Sequence, residues 1–291
     1  MNILTFDIEE WYAEMVLLGD RQDKYVQYDK CLNDVLDLLD EYKKKATFFC
    51  VGSIATTFPH VVKAIQSRGH EIGCHSHRHM LLHGMSRDEV LDDTRHAVNA
   101  LEQCTGEKVK SYRAPAFSIG SENKWVFEIL SSCGIERDAS VFPASRDFGG
   151  YPGFGHKEPV KIACDGIEIK EFPISTMNVL GKEIAFSGGG YFRFIPFWLF
   201  KREMAKNKYN MCYFHIDDLL QERTPMLTRE EYEDYFKEEG SLVNRLKRNV
   251  KDNYGKKGAW EKLKRLIKEY DFLNLDAVDQ SIDWASRPVV E

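Results

Sequence analysis

Short apolar segments alternate with longer segments of helical periodicity along most of this chain, and this alternation limits the folds open to it. Strands are predicted at residues 3–6, 46–51, 71–74, 109–112, 135–141, 211–214 and 272–275. Between them, apolar residues recur at helical spacing, and Ser86 with Glu89 forms a capping-box pattern that predicts the start of a helix. Such alternation favours parallel strands joined by right-handed crossovers. We therefore predict an α/β fold, with the strands in an incomplete barrel rather than an open sheet.

Two stretches depart from this alternation. Residues 143–190 contain Gly149-Gly150 and Pro152-Gly153, which predict loops with short strands, inserted near the site. Residues 228–291 begin with Thr228 and Glu231 in a second capping pattern and continue as lysine-rich helical segments. We predict one catalytic domain over residues 1–291, with a loop-rich insertion at about 143–190 and a helical extension at about 228–291.

The composition excludes several classes of protein. The 291 residues are 43% hydrophobic and 30% charged, with a formal net charge of -6, which is ordinary for a globular protein and argues against a nucleic-acid surface. The seven cysteines form no CxxC pair, which indicates reduced thiols. No apolar run is long enough for a membrane span, and strand-like sequence begins at Asn2. A cytoplasmic protein is the resulting expectation.

Polar clusters follow four of the predicted strands. They are Asp7-Ile8-Glu9-Glu10, His75-Ser76-His77-Arg78-His79, Arg113-Ala114-Pro115 and His215-Ile216-Asp217-Asp218. Barrel enzymes carry their chemistry just beyond the carboxyl ends of the strands, so these clusters are expected to meet at one end of the fold. Each cluster alone is a weak signal, and their common position makes the argument.

The histidines and acids predict a metal site. His75 and His79 are four residues apart, so one helical turn would place both imidazoles on one face. Two imidazoles and one carboxylate suit zinc or a similar divalent ion. Asp7 and Glu9 leave the first strand two residues apart, so one can bind the ion while the other acts as a base. The alternatives are a histidine-rich surface turn and an acidic helix N-terminus.

Three further features carry functional hypotheses. The Arg113 guanidinium could hold a carboxylate through two hydrogen bonds, or could be a surface side chain at a turn. His215 is a candidate general acid, although a buried structural histidine would give the same pattern. The glycine run at 187–190, with Tyr191 and Arg193 after it, predicts either a sugar or phosphate subsite or a structural turn.

In this order, the clusters resemble the polysaccharide deacetylases of carbohydrate esterase family 4, the NodB-homology fold, over nearly the whole chain. His75-Ser76-x-x-His79 is similar to the metal motif of that family, and Arg113-Ala114-Pro115 resembles its third motif. Residues 46–49 are similar to its second strand. Residues 187–193 resemble a feature of a bacterial subgroup associated with exopolysaccharide and O-antigen loci.

The resemblance implies a distorted (β/α)7 barrel and a set of roles. It makes Asp7 the general base, oriented by Arg113, and His215 the general acid. It makes His75 and His79 metal ligands and gives the backbone N–H of Ala116 the role of oxyanion donor.

The sequence departs from the family pattern in three places. Ile8 replaces a second aspartate, which leaves Glu9 as the expected third ligand and Glu10 as a weaker candidate. Ala116-Phe117 replaces an aromatic residue after Pro115. Ile216-Asp217-Asp218 replaces the Pro-Trp-Glu of the subgroup, so that either Asp138 or Asp217 is expected to polarise His215.

The function predicted from these residues and the resemblance is metal-dependent removal of an acetyl group from an N-acetylated sugar. Zinc is the expected ion, with cobalt, nickel, manganese or iron as alternatives. A cytoplasmic location would favour nucleotide-linked or lipid-linked sugars over finished polymer. The competing hypotheses are a hydrolase of another small amide, a non-catalytic glycan-binding protein, and a structural zinc site, which fits less well because no cysteine joins the ligands.

Overall fold

The computed structural model describes residues 1–146, 149–164, 166–221, 223–236 and 238–291. The strands are β1 (Asn2–Ile8), β2 (Thr47–Cys50), β3 (Glu71–Cys74), β4 (Ser111–Tyr112), β5 (Arg137–Asp138), β6 (Val160–Cys164), β7 (Ile167–Glu171), β8 (Thr176–Val179), β9 (Lys182–Ala185), β10 (Asn210–His215) and β11 (Val289–Val290). The helices are α1 (Glu10–Val16), α2 (Gln22–Glu41), α3 (Gly52–Thr57), α4 (Pro59–Ser67), α5 (Arg87–Thr105), α6 (Val126–Ser132), α7 (Gly189–Phe194), α8 (Phe197–Lys206), α9 (Arg229–Phe236), α10 (Leu242–Asn253), α11 (Lys256–Glu269) and α12 (Leu275–Ser281).

The main sheet confirms the predicted parallel α/β architecture. Its strand order is β10-β1-β2-β3-β4-β5-β7-β6-β11. The first seven strands in this order are all parallel, whereas β6 runs antiparallel to β7 and β11 lies at the outer edge. Strands β8 and β9 form a separate hairpin.

The barrel is open between β7 and β10. No strand pairing joins these two strands in the part of the chain that the structure describes. Instead, the Tyr209 hydroxyl donates a hydrogen bond to the Pro173 carbonyl at 2.8 Å, and the Met211 amide donates to the Ser175 hydroxyl at 2.8 Å. The sheet therefore curves until its ends approach, and the segment after β7 bridges the gap with isolated hydrogen bonds.

The two faces of β1 show how this sheet separates core from site. Alternate residues Leu4 and Phe6 pack in the large core beneath the helices, whereas Ile3 belongs to a second, inner core. Because side chains alternate along a strand, Thr5 and Asp7 lie on the same inner face as Ile3. Helix α12 contributes Leu275 and Val278 to that inner core, and so closes the end of the barrel opposite Asp7.

Local sequence signals explain most helix boundaries. Both hydrogen bonds of the predicted capping box between Ser86 and Glu89 are present, and α5 begins at Arg87, directly after Ser86. Pro59 is the first residue of α4 and so separates this helix from α3. The predicted closing strand at 272–275 is wrong, because the Asn274 side chain caps α12 and only Leu273 makes a bridge to the sheet.

The two stretches that depart from the alternation contain regular structure. Residues 143–190 include β6 and β7, which extend the main sheet, together with the β8–β9 hairpin. Residues 228–291 contain α9 to α12 and end in β11. The division of the chain into one domain with an insertion and an extension remains a prediction. Within the described residues, no helix has the length and apolar character needed to cross a membrane.

Candidate active site

The register of the parallel sheet brings the predicted base and acid side by side. Asp7 near the end of β1 is paired with His215 at the end of β10 on one side and with Phe49 of β2 on the other. Strand β1 ends at Ile8, and Glu9 then adopts φ -131° and ψ -18° before α1 begins. The acids at the end of β1 are therefore presented at the carboxyl end of the barrel, as predicted.

Three side chains form a group that could hold a metal ion. One ligand atom from each of Glu9, His75 and His79 lies within 4.8 Å of the others. The Nε2 atoms of His79 and His75 lie 2.6 and 3.4 Å from the same oxygen of Glu9. The His79 contact lacks the geometry of a hydrogen bond, so this buried nitrogen has no hydrogen-bond partner among the described residues. The two imidazoles and the carboxylate therefore fit a shared cation.

The tautomer of His75 suits a ligand. Its Nδ1 lies 2.7 Å from the carbonyl oxygen of Arg113, in a buried contact. A carbonyl can only accept, so Nδ1 carries the proton and Nε2 keeps its lone pair toward Glu9. A hydrogen bond of this kind also fixes the orientation of the ring.

The predicted helical turn from His75 to His79 is wrong. Ser76 and His79 have positive φ values of 60° and 50°, and the segment is irregular. The His79 amide donates to the Ser76 hydroxyl at 3.0 Å, which stabilises the turn. The imidazoles converge because the backbone is left-handed at two positions, and spacing alone does not reveal such a conformation.

Arg113 is fully buried beside Asp7 in the interior of the barrel. One guanidinium nitrogen lies 2.7 Å from Asp7 Oδ1, so the contact is single, where the sequence had suggested two hydrogen bonds. The same nitrogen also donates to the Thr5 hydroxyl at 2.8 Å, Nε donates to the Ala139 carbonyl at 3.1 Å, and the other terminal nitrogen lies 3.6 Å from the Met211 sulfur. The guanidinium also lies 4.3 Å from the centre of the Phe49 ring. These contacts fix Asp7 Oδ1 and leave Oδ2 toward the site.

His215 lies closest to Oε1 of Glu9, whereas the other two histidines lie closest to Oε2. Its Nε2 is 3.6 Å from Glu9 Oε1 and 3.9 Å from Asp7 Oδ2, and its Nδ1 is 3.1 Å from Asp218 Oδ2. Burial would lower the pKa of His215, but the carboxylates of Glu9 and Asp218 raise it well above the ordinary value. These carboxylates favour the protonated imidazole, whose Nε2 lies toward Glu9 and Asp7.

Asp218, which was not among the predicted partners of His215, is held by Arg193. The Nε atom of Arg193 lies 3.3 Å from Asp218 Oδ1. Arg193 is itself buried and donates to the carbonyls of Asp252 at 2.5 Å and Lys251 at 3.3 Å. The guanidinium is thus committed to protein groups, and the hypothesis that it lines a phosphate subsite is not favoured. Asp218 stands three residues after His215, but spacing alone does not distinguish it from Asp217, which precedes it.

The two acids proposed to polarise His215 have other partners. Asp217 pairs with the buried Lys256 at 2.8 Å. Asp138 accepts a hydrogen bond from the Ser140 hydroxyl at 2.7 Å, and that hydroxyl accepts the Ala114 amide at 2.7 Å. Asp138 therefore supports the turn that follows Arg113.

Glu10 lies outside the group of metal donors. It is buried and accepts the Asp217 amide at 2.8 Å. Burial raises the pKa of its carboxyl to about 8, which favours the neutral form. Of the two acids considered as third ligand, the geometry thus favours Glu9 over Glu10.

The glycine run makes a close approach between chain segments. A Cβ on Gly188 would lie 2.3 Å from the Tyr213 ring, and one on Gly189 would lie 1.6 Å from Asp218 Oδ2. The run is therefore needed as a structural turn beside the acid. Tyr191, on the same helix, exposes 36% of its surface and keeps its hypothetical role in binding sugar.

The third motif ends in an unusual backbone turn. Ala116 and Phe117 have φ values of 50° and 57°, directly after Pro115. Ala116 is only partly buried, whereas Phe117 packs in the inner core. The assignment of the Ala116 amide as an oxyanion donor remains a prediction.

Comparison with known proteins gives two family matches. The model of the polysaccharide deacetylase family matches residues 3–137, which include Glu9, His75 and His79 together with Asp7 and Arg113. This part of the chain is therefore similar to the polysaccharide deacetylases. A second profile, a domain of unknown function (DUF3473), matches residues 139–280 and so includes His215 and Asp218.

The curated relatives resemble the deacetylase domain over a limited length. A peptidoglycan-N-acetylglucosamine deacetylase of Bacillus cereus is 35% identical over 95 residues, which are 32% of this chain and 34% of the relative. A chitooligosaccharide deacetylase of Bradyrhizobium is 31% identical over 102 residues, 35% of this chain and 44% of the relative. The chain thus spans less than half the length of these relatives.

A crystal structure from Mycobacterium smegmatis, described as a polysaccharide deacetylase, has the same fold. It covers 99% of this chain and 92% of its own, with a TM-score of 0.66 at 17% identity. At this identity the likeness speaks for the fold alone.

Proposed function

We propose that the protein hydrolyses the amide of an N-acetylated sugar and releases acetate and a free amino sugar, with a divalent ion bound by Glu9, His75 and His79. The observation that carries the proposal is an arrangement of charges. A buried carboxylate outside the donor group, Asp7, and an imidazole, His215, lie together beside Glu9: His215 Nε2 is 3.6 Å from Glu9 Oε1 and 3.9 Å from Asp7 Oδ2. Amide hydrolysis needs both a base and an acid next to the polarised carbonyl.

The donor set suits a catalytic ion. Two imidazoles and one carboxylate leave coordination positions open for water and substrate, which is typical of catalytic zinc. Zinc is our first choice, and cobalt, nickel, manganese or iron would accept the same donors. When bound, such an ion would polarise a carbonyl oxygen and lower the pKa of a bound water to about 7.

We assign Asp7 the role of general base. Its Oδ1 is bound by the Arg113 guanidinium at 2.7 Å, so the free Oδ2 is the atom that accepts the proton of the attacking water. Because Arg113 is fully buried beside it, the carboxylate of Asp7 is fixed in orientation.

We assign His215 the role of general acid. Its Nε2 faces the site, where it can protonate the departing amine, a poor leaving group without that proton. Asp218 on Nδ1 holds the ring and favours the imidazolium. The Ala116 amide is assigned to the oxygen that becomes negative during the attack, and donors of this kind are typically worth about 10²–10³ in rate.

The substrate class rests on the relatives and on the predicted location. The relatives are named for action on peptidoglycan N-acetylglucosamine and on chitooligosaccharides, which share the N-acetylated glucosamine unit. The predicted cytoplasmic location would favour lipid-linked or nucleotide-linked forms of such a sugar. Both kinds therefore belong in the test.

The proposal is tested by acetate release. The protein is incubated with N-acetylated oligosaccharides, nucleotide sugars and lipid-linked sugars, before and after treatment with a chelator and after return of Zn²⁺. We expect release from at least one substrate, loss with chelator and recovery with the ion. Glu9→Gln should lose the bound ion, whereas the matched variant Glu10→Gln should keep it. No release by ion-loaded protein, or release that ignores the chelator, contradicts the proposal.

A further inference from the structure

Helix α10 exposes a stripe of apolar side chains. Val243, Leu246 and Val250 expose 59%, 47% and 60% of their surface, and no residue of α10 is buried. These positions follow helical spacing, so the side chains lie in one row along the helix. A soluble helix normally turns such a row toward the core, and here the row faces outward.

Aromatic side chains extend the stripe beyond the end of the helix. Tyr254 stacks on Phe194 with ring centres 4.6 Å apart and planes 8° apart. The two rings expose 54% and 45% of their surface. The apolar surface is therefore formed by two segments of the chain, α7 and the end of α10.

The charges around the stripe are positive, although the whole chain is acidic. Helix α10 carries four cationic side chains and one acid, in a protein with a formal net charge of -6. Lys247 and Lys251 follow Val243 at intervals of four residues, so they form a row along one border of the stripe. The apolar row thus has a cationic edge.

The acidic helix α9 packs against the opposite side of α10. The Arg248 guanidinium lies 4.5 Å from the centre of the Phe236 ring, and Arg245 donates to the Leu227 carbonyl at 3.2 Å. Arg245 and Arg248 lie on the face of α10 away from Val243 and Leu246. The acidic residues of α9 therefore lie on the other side of α10 from the apolar stripe.

We propose that α10, with Phe194 and Tyr254, docks the protein on the surface of an anionic phospholipid bilayer. A helix with an exposed apolar stripe, lysines at its border and aromatic rings beside it has the composition of helices that lie in the membrane interface. The lysines select anionic lipid, whose surface attracts cations near the bilayer. This charge complementarity favours lipid over a second copy of this acidic chain.

The surface lies next to the acid side of the site. Arg193 donates to the carbonyls of Lys251 and Asp252 near the end of α10, while its Nε faces Asp218. The side chain of Arg193 thus links the end of α10 to Asp218, which contacts His215. If the proposed deacetylase function holds, docking places the site at the height of sugar head groups, and the substrate class becomes N-acetylated sugars attached to lipid.

Sedimentation with vesicles tests the docking surface. Wild-type protein is mixed with vesicles of phosphatidylglycerol and phosphatidylcholine or of phosphatidylcholine alone, and we expect sedimentation with the anionic vesicles. The double variant Leu246→Ser/Val250→Ser should bind at least about tenfold more weakly, since each apolar side chain is lost from the interface. Lys247→Gln and Lys251→Gln should each weaken binding about fivefold.

Matched controls separate the stripe from general surface hydrophobicity. Val26→Ser and Leu180→Ser remove apolar side chains that are 70% and 100% exposed elsewhere, and should leave vesicle binding unchanged. Absence of binding to anionic vesicles, or equal loss in the control variants, overturns the proposal. A dimer in solution that Leu246→Ser/Val250→Ser dissociates, without vesicle binding, assigns the stripe to a second copy instead.

The test is independent of catalysis. Asp7→Asn should keep wild-type vesicle binding while it loses acetate release, and Leu246→Ser/Val250→Ser should keep acetate release from a soluble substrate. A protein that binds vesicles and releases no acetate retains the docking surface and contradicts the proposed function. A protein that releases acetate and does not bind vesicles supports the proposed function and contradicts the docking surface.

Discussion

The two halves of the chain hold their parts of the site in different ways. In the half that matches the deacetylase profile, residues 3–137, the sheet itself positions the groups: Asp7 lies in β1, and the backbone carbonyl of Arg113 anchors His75. In the other half, residues 139–280, β10 positions His215, but its partner Asp218 depends on Arg193 and on carbonyls of α10.

This difference separates the proposed metal ligands and the proposed base from the proposed acid. The proposed ligands and base are held by the barrel and its loops, so they should survive disturbance of the helical region. The proposed acid depends on Asp218, on Arg193 and on the carbonyls of α10 that Arg193 binds. Mutations that break one half should therefore leave a measurable property of the other half intact, and the predictions below use that separation.

The largest effect is expected from Asp7→Asn. General bases contribute about 10²–10⁴ in rate, and an amide cannot accept the proton, so turnover should fall by that factor. Metal content, measured by elemental analysis, should stay at the wild-type level because Glu9 and the histidines are unchanged. Wild-type turnover in a metal-loaded Asp7→Asn protein would remove Asp7 from its role.

Asp218→Asn probes the other half. We expect a loss of about ten- to hundredfold in turnover, with metal content unchanged, because the acid loses part of its orientation and charge. The Asp218 carboxylate raises the pKa of His215, so its removal lowers that pKa and moves the alkaline limb of the pH–rate profile to lower pH. An unshifted profile with reduced turnover indicates a merely structural role. Arg193→Lys should show the same shift with a smaller amplitude.

The free energy of unfolding should depend on pH through His70. Burial lowers the pKa of this imidazole to about 4, and the ring lies 5.2 Å from that of Phe48. The unfolded state takes up a proton as the pH falls below about 6.5, whereas the folded state resists until about 4. The free energy of unfolding should therefore fall by up to about 3 kcal/mol between pH 7 and pH 4 through this group.

Denaturant titrations at several pH values check the His70 contribution. His70→Gln keeps an acceptor for the Ala46 amide, which His70 Nδ1 contacts at 3.3 Å, and should flatten that part of the pH dependence. His60→Gln, at an exposed position, is the matched control and should leave the slope unchanged. Equal slopes in wild-type and His70→Gln proteins contradict the assignment.

The smallest expected effect comes from comparing alanine substitutions at the adjacent residues Gly189 and Gly190. Gly189→Ala places a methyl group against Asp218 and should cost about 1–3 kcal/mol of stability, as overpacking does. It should also reduce turnover in the same direction as Asp218→Asn. Gly190 has open space around its Cβ position, so Gly190→Ala should be neutral or slightly stabilising. Equal effects of the two substitutions, in thermal melts and acetate release, contradict the packing argument.

Features that depend on residue type and period were predictable from the sequence. The parallel strands, the helix start at Ser86, and the meeting of the clusters at one end of the barrel follow from periodicity and from the position of polar residues after strands. The pairing of Asp7 with Arg113 was also anticipated. The catalytic roles themselves remain predictions.

Features that depend on tertiary contacts were not predictable in this way. The left-handed backbone at Ser76 and His79 is stabilised by local hydrogen bonds that spacing does not reveal. The gap between β7 and β10 depends on how a long connection packs across the barrel. Asp218 was overlooked in favour of Asp217, although neighbouring residues after a strand point in different directions and only coordinates show which one turns toward His215.

Arg113 serves two partners with two different parts of the same residue. Its side chain binds the carboxylate of Asp7, and its main-chain carbonyl binds the ring of His75. Substitution exchanges a side chain and leaves the peptide group in place. A substitution at residue 113 therefore changes the contact to Asp7 and keeps the carbonyl that binds His75. Related chains could differ at this position in turnover while the proposed metal ligand His75 keeps its hydrogen bond.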